Sequence, residues 1–433
     1  MHLGVYGSGY LGTLISACLA DFGTPVSCCH QDSSAMVQMA QGNVPFFEKN
    51  LAEIIRRNVR VGRLAYSTDL DAFARKAQLI FLAEDSSQHL EDLVLRIARV
   101  APKPPILVII TPVPVGTGSV LERKLAQNGS KATIVSHPVF LTAGCAVEDF
   151  NWPDRIILGT SSSEAVHAMK QVFHPLVMRG VPVIVTNHET AELVREAATA
   201  YLATKISFIN EVANLCEKVN ADAVHLSLAL GLDKKIAPRC LQPGAGMGGI
   251  FAESDMDLLC ELARFNGVSL KVLSAAREVN TNLADRLAEK VGAVLEHVEG
   301  KQVAILGLAF KPNTNSVAGS FSIDLVKTLI AQGAKVRAYD PVAIPNAKLL
   351  LNGSVQYSDD AYAAAEGSDV LVVGTGWPEF RSLDFERIKR SLKRAVIIDT
   401  KNLLDATRLR AMGFEYLSVG RSNVAPKAEA AGA

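Results

Sequence analysis

The opening stretch, HLGVYGSGYLGTLISACLADFGTPVSCCHQD, restricts the fold more than any other part of the chain. A buried apolar run stops on glycine and turns through GSGYLG. It then gives way to GTLISACLADFG, whose apolar residues fall at helical spacing before a glycine, a usual helix stop. A second apolar run follows. Gly7, Gly9 and Gly12 form GxGxxG, whose glycines serve a tight turn, a close approach of backbone to a pyrophosphate and close packing of helix on strand. The pattern is weak alone. Between a strand and a helix of a βαβ unit it points to a dinucleotide. A purely structural turn is the bland alternative. Tyr10 and Leu11 fill the loop, so Gly7, Gly9, Tyr10, Leu11 and Gly12 are the candidate cofactor contacts.

Short apolar runs continue as QLIFLAED, PILVIIT, ATIVSHP and RIILGT, separated by helical patterns such as SSQHLEDLVLRIARVA. This alternation predicts a parallel sheet covered on both faces. From Glu189 the pattern changes: ETAELVREAATAYLATKISFINEVANLCEKVNA carries neither Gly nor Pro and predicts one long helix, with further helical pattern after it. At Lys301 strand and helix alternate again, and KQVAILGLAF, a helix ending in QG, and AKVRAYDP echo the opening unit down to the acid after its second strand. The predicted fold class is therefore α/β, two Rossmann-like parallel-sheet domains joined by a long central helix and a helical dimerisation region. The expected boundaries are 1–190 for the first domain, 191–299 for the helical one and 300–420 for the last, with a disordered tail at 421–433.

Bulk properties exclude several partners. Lys+Arg and Asp+Glu number 44 each, so nothing favours nucleic acid or an anionic membrane, and a small-molecule ligand fits better. No run approaches ~18 uninterrupted apolar residues, and the N-terminus lacks a charged region ahead of an apolar one, so neither a membrane span nor a signal peptide is expected. The seven cysteines are scattered, without metal-type spacing, and several read as core residues, which points to a reducing, cytoplasmic compartment. No metal is expected.

Ordered motifs then make a specific resemblance. VPFFEKNLAEII, PVPVGT, WPDRIILGT, AELVREAATAYLATKISFINEVANLCEKV, LQPGAGMGG and GLAFKPNTN occur in sequence over roughly residues 1–420. In these the chain resembles the UDP-glucose/GDP-mannose dehydrogenase family of nucleotide-sugar dehydrogenases. The resemblance implies a dimer formed through the central helix, and NAD as cofactor with NADP left open. It implies oxidation of a sugar C6 alcohol to a carboxylate by two hydride transfers. A cysteine attacks the intermediate aldehyde and carries the acyl group as a thioester. Lysine and asparagine steady the charge on oxygen, and an aspartate helps activate water. These roles carry over to Lys205, Asn210 and Asp255. Substrate contacts carry over to Phe140, Leu141, Gly244, Gly246, Gly248, Gly249, Phe310 and Lys311, with Trp377 placed near the nucleotide. At the end of the second strand His30 stands where an acid selecting NAD is expected, and Asp32 lies two residues on, so both are cofactor candidates.

The departures gather around the site. The glycine loop runs on through Ile250, Phe251, Ala252, Glu253 and Ser254 to Asp255, so Phe251 holds the place of the catalytic cysteine. Thr111, Pro112 and Val113 replace Ser-Thr-Val, Val139 replaces a glutamate, and Thr142 and Ala143 replace Arg-Glu. Thr199 replaces an asparagine and Ala318 an arginine. A Gly-Thr-Pro turn becomes Glu84, Asp85 and Ser86, whose carboxylates are expected to repel a pyrophosphate by about 1 kcal/mol each. Among the thiols, Cys145 is the one candidate for a relocated nucleophile, and Cys240 and Cys260 flank the loop. Three readings follow. The chain is a nucleotide-sugar dehydrogenase with altered or lost four-electron chemistry. Alternatively it is a catalytically silent homologue that binds a ligand or a partner, pairing with itself or with an active homologue. Or it is a two-electron oxidoreductase on a different nucleotide sugar.

Overall fold

LGVY, VSCC, LIFL and IILG are too short to bury themselves as helices, and each buries all four of its residues as a strand. Burial on both faces is the mark of a sheet sandwiched by helices. The structure, a computed structural model, describes residues 1–421 and their side chains except those of Ile250 and Phe251. The tail expected to be disordered lies, from Ser422 onward, outside the described residues. The chain forms two compact units, Met1–Ala198 with Asp255–Val268, and Thr199–Ser254 with Ser269–Ala433.

The first unit holds β1 (Leu3–Tyr6), β2 (Val26–Cys29), β3 (Leu64–Ser67), β4 (Leu79–Leu82), β5 (Ile106–Ile109), β6 (Thr133–Ser136), β7 (Ile156–Gly159) and β8 (Val183–Thr186). Their order is β3-β2-β1-β4-β5-β6-β7-β8. The first six run parallel in the doubly wound order, and Ile80, Leu107 and Ile134 pack with Val94 and Ile97 of the helix Leu90–Val100. The expected parallel sheet is present with one antiparallel pairing in it: β7 pairs antiparallel with β6 through Ser136 and Gly159, and β8 follows β7 in parallel. An apolar run of four residues carries no sign of its direction.

The second unit holds β9 (Gln302–Leu306), β10 (Lys335–Tyr339), β11 (Val355–Tyr357), β12 (Val370–Val373), β13 (Val396–Asp399) and β14 (Glu415–Ser418), in the order β11-β10-β9-β12-β13-β14, all parallel. Ile305, Leu371 and Ile397 sit at the centre of its core. Both Rossmann-like sheets are thus present, and so is the long helix, His188–Val219. Among the described residues no helix is long and apolar enough to cross a membrane.

Candidate functional site

In the first unit the strand ends of β1, β4, β5 and β6 gather the candidate residues. β1 stops at Tyr6 and the first helix, Tyr10–Asp21, begins after the glycine turn. Gly7 has φ +150°, and a Cβ on it would fall 2.3 Å from the Ala83 carbonyl oxygen. A Cβ on Gly12 would fall 2.3 Å from the Gly7 carbonyl oxygen, so helix and strand touch backbone to backbone as the fingerprint requires. Gly9, at the helix N-cap, offers no side chain to the first amides. A carboxylate from elsewhere does. The amides of Tyr10 and Leu11 donate to Asp85 at 3.1 and 3.4 Å. A Cβ on Gly9 would lie 1.9 Å from Asp85 Oδ2.

Tyr10 serves the unit through its side chain as well. Its hydroxyl donates to Glu48 Oε2 at 2.8 Å, and its ring packs on Phe46 with centroids 4.7 Å apart. Buried Glu48 also accepts from the amides of Gly144 at 2.6 Å and Ala146 at 2.9 Å, on either side of half-buried Cys145. The relocated-thiol candidate stands at the start of the short helix Ala146–Asn151, whose first amide the Glu48 carboxylate already takes. None of the seven cysteines is in a disulfide.

Beside the glycine turn lies a cavity of about 600 Å³ lined by Tyr6, His30, Gln31, Asp69 and Glu84 among others. It lies outside the carboxyl ends of the strands, where open α/β sheets take their ligands. His30 Nε2 stands 3.5 Å from Glu84, and burial holds the imidazole below its usual value, toward the neutral form. Burial, and then the Asp85 charge, push the Glu84 carboxyl up to about 7. Asp32 is engaged otherwise: it caps the helix Ser33–Ala40, accepting from the Ala35 amide at 2.9 Å.

At the ends of β5 and β6 a small cavity of about 30 Å³ is bounded by Thr111, Pro112, His137, Glu192, Glu196 and Asp255 among others. Thr111 Oγ1 accepts from the Glu84 amide at 3.0 Å, which ties this cavity to the cofactor cleft. Asp255 is paired with Arg195 at 3.0 and 3.2 Å, and both side chains are nearly buried. Glu192 accepts from the amides of Gly116 at 2.6 Å and Gly118 at 2.9 Å, closing the start of the helix Thr117–Gln127. Glu196 is buried, and its carboxyl is pushed up to about 7 by burial and by Asp255. His137, whose Nδ1 lies 2.8 Å from the Ile157 carbonyl, is driven down to about 4 by burial and stays neutral. Phe140 and Leu141 follow β6 half-buried, and the Arg155 guanidinium covers the Phe140 ring at 3.9 Å.

The second unit brings another set together. Lys205 Nζ donates to the carbonyls of Ile236 at 3.0 Å and Ala237 at 3.2 Å. Buried Asn210 accepts from the Gly244 amide at 2.8 Å. The glycine loop is pressed against backbone. A Cβ on Gly248 would fall 2.0 Å from the Gly319 carbonyl oxygen, one on Gly244 2.8 Å from the Thr400 carbonyl oxygen, and one on Gly249 3.1 Å from the Phe310 ring. Gly246, at φ +69°, sits over Asn280, which accepts from the Met247 amide and donates back to its carbonyl. These close approaches account for the glycines whether or not a ligand approaches them. Lys311 adjoins Phe310, its ammonium 6.0 Å from the ring centroid. Trp377 is buried and donates its indole N–H to Asp340 at 3.0 Å. The Phe251 side chain lies outside those described.

Asp340, the acid that echoes the opening unit, repays comparison. It follows β10, and its Oδ2 also accepts from the amides of Leu308 at 2.8 Å and Ala309 at 3.0 Å in the turn after β9. Its Oδ1 accepts from Val342 and Ala343. Glu48, Glu192, Arg195, Glu196 and Asn280 are not among the residues the sequence points to. Glu192, Arg195 and Glu196 have one signal there, charges at helical spacing on a face that turns out to be buried.

The fold agrees with what the chain is similar to. Residues 1–177 match the UDP-glucose/GDP-mannose dehydrogenase family, NAD binding domain. Residues 189–282 match its central domain and residues 304–406 its UDP binding domain. UDP-glucose 6-dehydrogenase TuaD of Bacillus subtilis is 35% identical over 98% of this chain and 94% of its own. UDP-glucose 6-dehydrogenase of Rhizobium meliloti is 36% identical over 97% of this chain and 100% of its own. A UDP-glucose dehydrogenase structure from Pyrobaculum islandicum superposes with a TM-score of 0.87 at 27% identity, covering 97% of this chain and 98% of that one.

Proposed function

Since this chain belongs to the UDP-glucose/GDP-mannose dehydrogenase family, we propose that it binds a UDP-sugar and does not carry the sugar through to a uronic acid. What supports this reading is Phe251 in the glycine loop, at the place to which the resemblance carries the family's cysteine. A thioester needs a sulfur, and a phenyl ring has neither a lone pair to attack an aldehyde nor a proton to exchange. The three retained polar groups support the same reading, because each is engaged within the protein. Lys205 is held by two carbonyls, Asn210 by the Gly244 amide, and Asp255 by Arg195. Val139, Pro112 and Ala143 remove further polar groups from the matching stretches. The test is product analysis. The protein, purified from a host without its own UDP-glucose dehydrogenase, is incubated with UDP-glucose and NAD, and no UDP-glucuronate is expected by mass spectrometry. Its formation overturns the reading.

A second reading, a single hydride transfer that leaves an aldehyde, is favoured by Glu196, a buried carboxyl at about 7 beside Thr111 and His137. A group poised near neutral pH suits an acid–base role. One reduced cofactor per sugar with a trappable aldehyde is its signature. The protein works as a homodimer: Tyr201, Phe208, Leu215 and Val219 form an exposed apolar stripe along the long helix, and sedimentation is expected to give twice the chain mass. Free thiols at all seven cysteines suit a reducing compartment and support a cytoplasmic location.

A further inference from the structure

The family's NAD binding domain is present, and the turn and the cavity beside it suit the adenosine half of a dinucleotide. The next portion of such a ligand is a pyrophosphate, which takes the free amides at the start of the first helix. In this chain those amides have a partner. Tyr10 and Leu11 donate to Asp85, a residue that follows a different strand, β4. Gly9, whose missing side chain keeps the seat open, faces the same carboxylate at a separation too short for any Cβ. One anion can use these donors at a time. The residues as arranged therefore do not fit the pyrophosphate.

We infer that Asp85 is a tethered anion filling the pyrophosphate seat of the cofactor cleft, so that a dinucleotide binds only by displacing it. The inference stands apart from the loss of uronate formation, since it concerns the glycine turn alone. Two features set how firm the block is. Asp85 is exposed, so the carboxylate leaves the amides for water and not for an apolar interior. Beside it, Glu84 lines the cavity and adds negative potential when ionised. A charge-assisted contact at an exposed helix N-terminus is modest, so the displacement weakens dinucleotide affinity by about tenfold. Adenosine, which has no phosphate, does not meet the block.

Calorimetric titration of ADP-ribose and of adenosine into the full-length protein tests this. Asp85→Ala is expected to bind ADP-ribose about tenfold tighter than the natural protein and adenosine equally well. Asp85→Asn, which keeps the shape and loses the charge, is expected between the two. Without ligand, Asp85→Ala should melt about 2 °C lower, since the amides lose their partner. Unchanged ADP-ribose affinity in both variants overturns the inference. So does an equal gain for adenosine, which would mark a general electrostatic effect on the cleft. Failure of every variant to bind ADP-ribose also overturns it, because Asp85 would then not be the obstacle.

Discussion

Each of the two sheets begins with a strand that turns into a helix or loop, and in each the amides of that turn are met by a carboxylate of the protein itself. The settings differ. Asp340 is 2% exposed and satisfies four amides and an indole N–H. Asp85 is exposed and meets two amides, one of them at 3.4 Å. Burial and partner number decide what a carboxylate is for. The first is committed to the fold, because its removal strands five donors. The second contributes little to the fold and is exchangeable for an outside anion. An acid that meets the turn after the first strand is structural in one half and competitive in the other.

The largest effect expected from this contrast is at Asp340. Asp340→Ala leaves buried donors unpaired and should cost about 5 kcal/mol or more, read as loss of the folded C-terminal unit or a steep fall in the denaturation midpoint. Arg195→Ala is next. It removes the ion pair of the nearly buried Asp255 carboxylate and should cost about 3–4 kcal/mol in chemical denaturation. That result would show that burial matters, whichever unit holds the acid.

The pH dependence comes third. Glu84 and Glu196 each titrate at about 7 in the folded protein but at about 4.3 unfolded. The folded state therefore binds more protons between these values, and stability falls as pH rises from about 4 to about 7, then levels. After solvent screening each group accounts for about 1–2 kcal/mol. His137, held down to about 4, acts oppositely: its neutral form is favoured, so stability is lost as pH falls below about 6.5. Comparison with Glu84→Gln and Glu196→Gln isolates the carboxyls, and each variant should flatten the slope between about pH 4 and about pH 7. The smallest effect is Asp85→Ala without ligand, about 1 kcal/mol. A cost comparable with that at Asp340 would break the contrast.

The fold is legible in the sequence because strand–helix alternation is written in the spacing of apolar residues. The long helix is legible because nothing in its sequence breaks it. The direction of β7 and β8 is not, since a short buried run reads the same both ways. At the site, the glycine turn and the acid echoed at Asp340 are visible. Their partners are not, because which amides an acid reaches depends on where a loop places it. The sequence has Glu84 and Asp85 repelling a pyrophosphate. The geometry adds that Asp85 takes its place, which only the proximity of the end of β4 to the first helix reveals. The glycine loop near Phe251 reads as made for a ligand, and Gly319, Thr400 and Asn280 show how much of it packing alone demands.

A crystal structure of the protein with ADP-ribose bound tests the contrast most directly. The account predicts diphosphate oxygens on the amides of Tyr10 and Leu11, Asp85 turned away from them, and Asp340 with all five partners unchanged. ADP-ribose seated in the cleft with Asp85 still on both amides would contradict it.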